Sequence, residues 1–93
     1  MDKRVYKYEL NPMTSIQEVI LPIESQILTA QMQGNKLQLW ALVDSIQELK
    51  AKRVIEIIGT GYKFCSPNGV ERKHISTIQL AGGVFVYHIF ENL

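Results

Sequence analysis

Polar and apolar residues alternate with a period of two along much of this chain, the pattern of strands that bury one face. Val5 to Leu10 opens it: Tyr6, Tyr8 and Leu10 fall on one side, Lys7 and Glu9 on the other. Asn11-Pro12 ends the strand, because proline has no N–H to give to a ladder. Ile16 to Leu21 is a weaker second strand, closed by Pro22.

The pattern is sharpest in a hairpin. Ile27 to Gln33 runs into Gly34-Asn35 and returns as Lys36 to Val43. Glycine first suits a type II′ turn, with type I′ as the alternative. Pairing across that turn sets Met32 against Leu37, Ala30 against Leu39 and Leu28 against Ala41. The opposite face then carries Gln31 with Gln38 and Thr29 with Trp40. Both strands agree on which face is apolar, and a slip of one residue would destroy the agreement.

Asp44 to Lys52 is a polar interlude. Ser45 and Glu48 have capping-box spacing, and one or two helical turns or a plain loop fit equally. Arg53 to Ile58 is a β-branched strand that Gly59-Thr60-Gly61 bends or ends, and Tyr62 to Phe64 can continue it. Pro67, Asn68 and Gly69 mark a loop within Ser66 to Lys73. Ile75 to Leu80 and Gly83 to Glu91 form a closing pair joined through Ala81-Gly82-Gly83. The last strand is apolar on both faces, which suits a central strand or one covered on both sides. Six or seven strands with at most one short helix predict a mainly β fold, a small antiparallel sandwich or partly closed barrel.

The 93 residues leave room for one domain and one core. Ten Lys and Arg against nine Asp and Glu give a net charge of +1, so no global field draws the chain to nucleic acid. A single-stranded nucleic-acid platform would need a positive groove beside its aromatics. Cys65 is the only cysteine, which excludes an intramolecular disulfide and a multi-cysteine zinc site and points to the reducing cytosol. No signal-type segment or membrane-spanning run stands out.

Candidate chemistry is sparse. Gly59-Thr60-Gly61 lacks the third glycine of a dinucleotide fingerprint, since position 64 is Phe64, and no helix follows. It reads first as a bulge or tight bend, and second as a ligand contact. His74 and His88 with Glu56 or Glu91 lack metal-ligand spacing, and His88 fits a structural histidine bonded across the sheet. Cys65 lacks a nucleophile motif and reads as a small hydrophobe. The expectation is a non-enzymatic protein without cofactor or metal. A ligand, if bound, is placed at Gly59, Thr60 and Gly61 with Arg72, Lys73 and His74 as charged neighbours. That set suits a nucleotide-like anion or a negatively charged protein. Trp40, Leu42 and Tyr87 are the candidate interface of a homo-oligomer, with a dimer favoured.

Tyr6-Lys7-Tyr8, Trp40-Ala41-Leu42-Val43-Asp44, Gly59-Thr60-Gly61 and Val84-Phe85-Val86-Tyr87-His88-Ile89-Phe90-Glu91 carry a resemblance over almost the whole chain. In their order and spacing it resembles a family of small, largely uncharacterised proteins encoded by bacteriophages and prophages. His74 ahead of Ile75 fits that pattern, in which a histidine precedes the closing apolar strand. The resemblance implies expression in the cytoplasm of an infected bacterial cell. It also implies an accessory role: binding a host protein, countering host defence by sequestering a small signalling molecule, or serving in particle assembly.

Overall fold

The computed structural model describes residues 1–93. Seven strands form, β1 (Lys3–Leu10), β2 (Ile16–Pro22), β3 (Gln26–Gln33), β4 (Lys36–Asp44), β5 (Lys50–Gly59), β6 (Arg72–Leu80) and β7 (Phe85–Asn92). One short 3-10 turn, Ala81–Gly83, joins the last two. Every pairing is antiparallel, in a three-stranded sheet ordered β1-β4-β3 and a four-stranded sheet ordered β2-β5-β7-β6. The fold is a small β-sandwich, and no helix is long and apolar enough to cross a membrane.

Alternation in β4 builds the first inner face. Leu37, Leu39, Ala41 and Val43 are all buried there, with Leu10 and Ala30 beside them. Val19, Leu21, Ile55, Ile57, Ile78 and Ile89 complete a single core from the second sheet. The apolar closing strand β7 lies between β5 and β6, the central position its two apolar faces predict. Burial of large aliphatic side chains at ~1.5–3 kcal/mol each is the main stabilising term.

The hairpin pairs Met32 with Leu37, Ala30 with Leu39, Gln31 with Gln38 and Thr29 with Trp40, as the pattern predicts. Gly34 has φ +61° and Asn35 is not in the left-handed region, which fits type II′. One pairing differs. Ile27, not Leu28, stands opposite Ala41, and Leu28 is the extra residue of a bulge. A matching irregularity leaves Ile75 unpaired in β6. The two irregular strands meet edge to edge, where Ser76 Oγ accepts the Ala30 N–H at 2.9 Å and contacts Thr29 Oγ1 at 2.9 Å.

Other expectations change with the structure. Of the two open readings of the interlude after β4 the structure takes the loop, and β5 begins at Lys50, inside the stretch read as polar interlude; Ser45 gives its N–H to the Asp2 carbonyl and its hydroxyl to the Asp2 carboxylate. Residues 62–64 do not extend β5. Cys65 is exposed and not packed in the core, because the chain there turns back over the second sheet.

Candidate functional site

β5 turns Ile55 and Ile57 into the core, so Glu56 faces the other side of the sheet. It is nevertheless only 1% exposed, because the segment between β5 and β6 folds back across it. Glu56 accepts the Cys65 and Ser66 backbone N–H groups at 3.0 and 3.1 Å and the Ser66 hydroxyl at 2.5 Å. Asn92 Nδ2 donates at 3.0 Å and Arg72 Nε at 3.5 Å. Burial pushes the Glu56 carboxyl up, but donors from Ser66, Asn92 and Cys65 outweigh it and hold the group below its ordinary value.

Arg72 is absorbed by the same clamp. Nη2 donates to Ser66 Oγ at 2.5 Å, Nη1 to the Val70 carbonyl at 3.4 Å, and the guanidinium lies 3.9 Å over the Phe64 ring. Phe64 in turn meets Phe90 edge-on, with centroids 5.3 Å apart. The predicted anion-binding arginine is therefore committed to holding the loop. Lys73, one residue on, turns to the opposite face and lies across from Glu91, whose carboxylate is already held by Arg53 through two nitrogens.

The two predicted clusters do not touch, and two intervening side chains bridge one member of each. Thr60 Oγ1 lies 2.7 Å from His88 Nε2, His88 Nδ1 lies 3.0 Å from Thr77 Oγ1, and Thr77 Oγ1 lies 3.0 Å from His74 Nε2. This row crosses three elements of the outer face and joins the 59–61 bend to His74. The link from His88 to Thr77 is the cross-sheet bond predicted for a structural histidine. Neither histidine bonds Cys65, and no group of three metal-ligating side chains occurs.

The bend itself is a tight turn, with the Tyr62 N–H on the Gly59 carbonyl at 3.1 Å. Gly61 stands third in it with φ +87°, which a type II turn demands and glycine meets most easily. The β2 ladder ends at Ile16–Glu56, the Ile57 N–H makes one last bond on that side to the Ser15 carbonyl at 2.8 Å, and Ile58 and Gly59 run on with β7 as their only strand partner. Beside that free edge lies a cleft of about 660 Å³ lined by Met13, Tyr62, Val84, Phe85 and Tyr87 among others. Tyr87 stacks on Phe85 at 6.4 Å and packs against the core. Trp40 and Leu42 lie on the outer face of the first sheet, half-buried and opposite Lys7 and Val5 of β1.

Sequence reasoning missed Ser66, Asn92 and Thr77, and weighed Glu56 only as a metal ligand. The one signal was a carboxylate inside the apolar run Ile55-Glu56-Ile57, which alternation alone assigns to solvent.

The fold and this face define a two-sheet antiparallel β-sandwich with one clamped loop and one apolar cleft. The chain matches over residues 1–93 the family described as a domain of unknown function, DUF7352, and it belongs to that family. No curated protein and no solved structure matches it.

Proposed function

We propose that this chain is a non-enzymatic binding protein that receives a segment of a partner protein in the cleft at the end of β5. The observation that carries the reading is the cleft wall. Met13, Tyr62, Val84 and Phe85 are 81, 79, 74 and 54% exposed, and all four converge on a concave site beside a free strand edge. Large apolar side chains gathered in a concavity suit a protein ligand better than solvent. The edge itself is short, since Ile57 gives its N–H to Ser15 and the Gly59 carbonyl accepts the Tyr62 N–H, so the apolar wall and not main-chain pairing would hold the segment.

The phage resemblance supplies the setting, a host protein met inside an infected bacterial cell. A nucleotide-like anion is the second reading, favoured by the polar row from Thr60 to His74. It has lost its bidentate group, since Arg72 is spent on Glu56 and Ser66. A particle-assembly role predicts broad flat contacts in place of a filled cleft.

The test is a photo-crosslinking residue placed at Tyr62 and, as a control, at exposed Lys52, with the chain expressed in infected cells. A discrete protein adduct from position 62, lost with Val84→Glu and not seen from position 52, supports the reading. Equal adducts at both positions, or none, overturn it. Native mass spectrometry of the same extract showing a retained small anion favours the second reading instead.

A further inference from the structure

β1 is the outer strand of the three-stranded sheet, and nothing in the chain covers its free side. The direction of its backbone groups can be read from one bond. The Ser45 N–H donates to the Asp2 carbonyl at 2.8 Å, so Asp2 points toward β4. Antiparallel alternation then turns the N–H and C=O of Arg4, Tyr6, Tyr8 and Leu10 to β4, and those of Lys3, Val5, Lys7 and Glu9 to the open side. The other edges differ. β3 and β6 carry irregularities and meet at Ser76, while β2 is shorter, ends in Pro22 and has Glu18 as its only charge.

We propose that the free edge of β1 pairs antiparallel with the same edge of a second copy, with Tyr6 on the two-fold axis. Only odd-numbered residues offer outward groups, so the axis passes through a residue; on Lys3–Leu10 an axis at Tyr6 or Lys7 overlaps seven residues, and one at Val5 or Tyr8 only five. An axis at Val5 sets Lys3 against the partner's Lys7 twice. An axis at Lys7 sets two lysines against each other at its centre. An axis at Tyr6 sets Lys3 against the partner's Glu9 twice and Val5 against the partner's Lys7. An axis at Tyr8 also pairs Lys7 with the partner's Glu9, but over five residues; of the two long registers, the one at Tyr6 alone has opposite charges paired and no like charges opposed. The charges that ordinarily keep an edge apart here select one self-complementary alignment, as a closed two-fold interface requires.

The side chains agree with this register. Val5 is 55% and Tyr6 43% exposed, and both come under cover. On the outer face Val5 sits beside Leu42 and Lys7 beside Trp40, so the half-buried stripe continues through the axis into the partner. On the other face Arg4 meets the partner's Tyr8, a cation against an aromatic ring.

Sedimentation of the full chain over a wide concentration range tests this. The wild type is expected to dimerise. Val5→Pro removes an outward N–H and no bond to β4, so it is expected to give a folded monomer. Lys3→Glu is expected to weaken the dimer about tenfold or more, and Lys3→Glu with Glu9→Lys to restore it. Tyr6→Cys in a Cys65→Ser background is expected to form a disulfide across the axis, since directly opposed residues lie within disulfide range. A wild type monomeric at every concentration overturns the proposal. So does a dimer that the charge swap fails to rescue, a result that holds even if Val5→Pro does not fold.

Discussion

The Ser66 hydroxyl donates to the buried Glu56 carboxylate at 2.5 Å, and through that bond a ten-residue step along the chain is closed onto the outer face of the second sheet. Glu56→Gln keeps the volume but puts an amide N–H₂ where the site supplies donors. It also leaves Arg72, itself mostly buried, without its countercharge. The expected cost is about 2 kcal/mol of unfolding free energy. Urea denaturation should show it, and amide exchange at Cys65 and Ser66 should rise with it. Slow exchange at both amides in the variant would show that the carboxylate does not hold the loop.

The same group makes stability depend on pH in a definite direction. Glu56 titrates below its ordinary 4.5 in the folded chain, so the unfolded chain binds more protons across the interval between the two values. Its contribution is therefore complete above about pH 4.5 and is lost as pH falls through the folded value. Asp2 and Asp44 are also lowered, first by the Ser45 hydroxyl and the Asp2 N–H respectively, but they remain in both proteins. The difference in stability between wild type and Glu56→Gln should thus be constant above pH 5 and shrink below it. A difference independent of pH would remove Glu56 as the titrating group.

How much of this was readable in the sequence follows from the distance over which each feature is determined. The hairpin was legible because Gly34 and the alternation on either side specify the same register locally. The exception, Leu28, fails for a long-range reason: the bulge lies where β3 meets Ser76 of β6, a contact nothing near Leu28 announces. Glu56 was hidden for a similar reason. Its strand neighbours assign it to solvent, and only the return of Cys65 and Ser66 over the sheet buries it. The indirect link from Thr60 to His74 depends on β7 lying between β5 and β6, which places His88 and Thr77 between them.

The 59–61 bend separates two effects of glycine. A Cβ at Gly59 would lie 3.0 Å from Tyr62 Cδ2, but that ring is 79% exposed and can swing away. A Cβ at Gly61 meets nothing within 4 Å, yet its φ of +87° is strained for any L side chain. Gly61→Ala is therefore expected to cost about 1 kcal/mol and Gly59→Ala less than about half of that. Gly59→Ala should instead displace Tyr62, seen as a changed ring resonance by NMR. The reverse order of stabilities would mean that packing, and not backbone conformation, governs the bend.

Ser76 provides the sharpest test of how the two sheets are joined. It is 6% exposed and is the residue through which the edge of β3 meets β6. Ala30 beside it is fully buried, so its N–H has no water to turn to when the hydroxyl is removed. Ser76→Ala leaves that donor orphaned and should cost about 1–3 kcal/mol, most of it desolvation of the amide and not loss of the hydroxyl itself. Thr29 is half-buried and the other partner of its hydroxyl, the Gln31 amide, is exposed and can turn to water, so Thr29→Val, which leaves the bond from Ala30 to Ser76 intact, should cost under about 1 kcal/mol. Exchange of the Ala30 amide should accelerate in Ser76→Ala by more than the global loss of stability accounts for, because the two edges can part locally before the sandwich unfolds. Equal costs for the two substitutions, or unchanged Ala30 exchange, would show that the sheets are held together by the core alone.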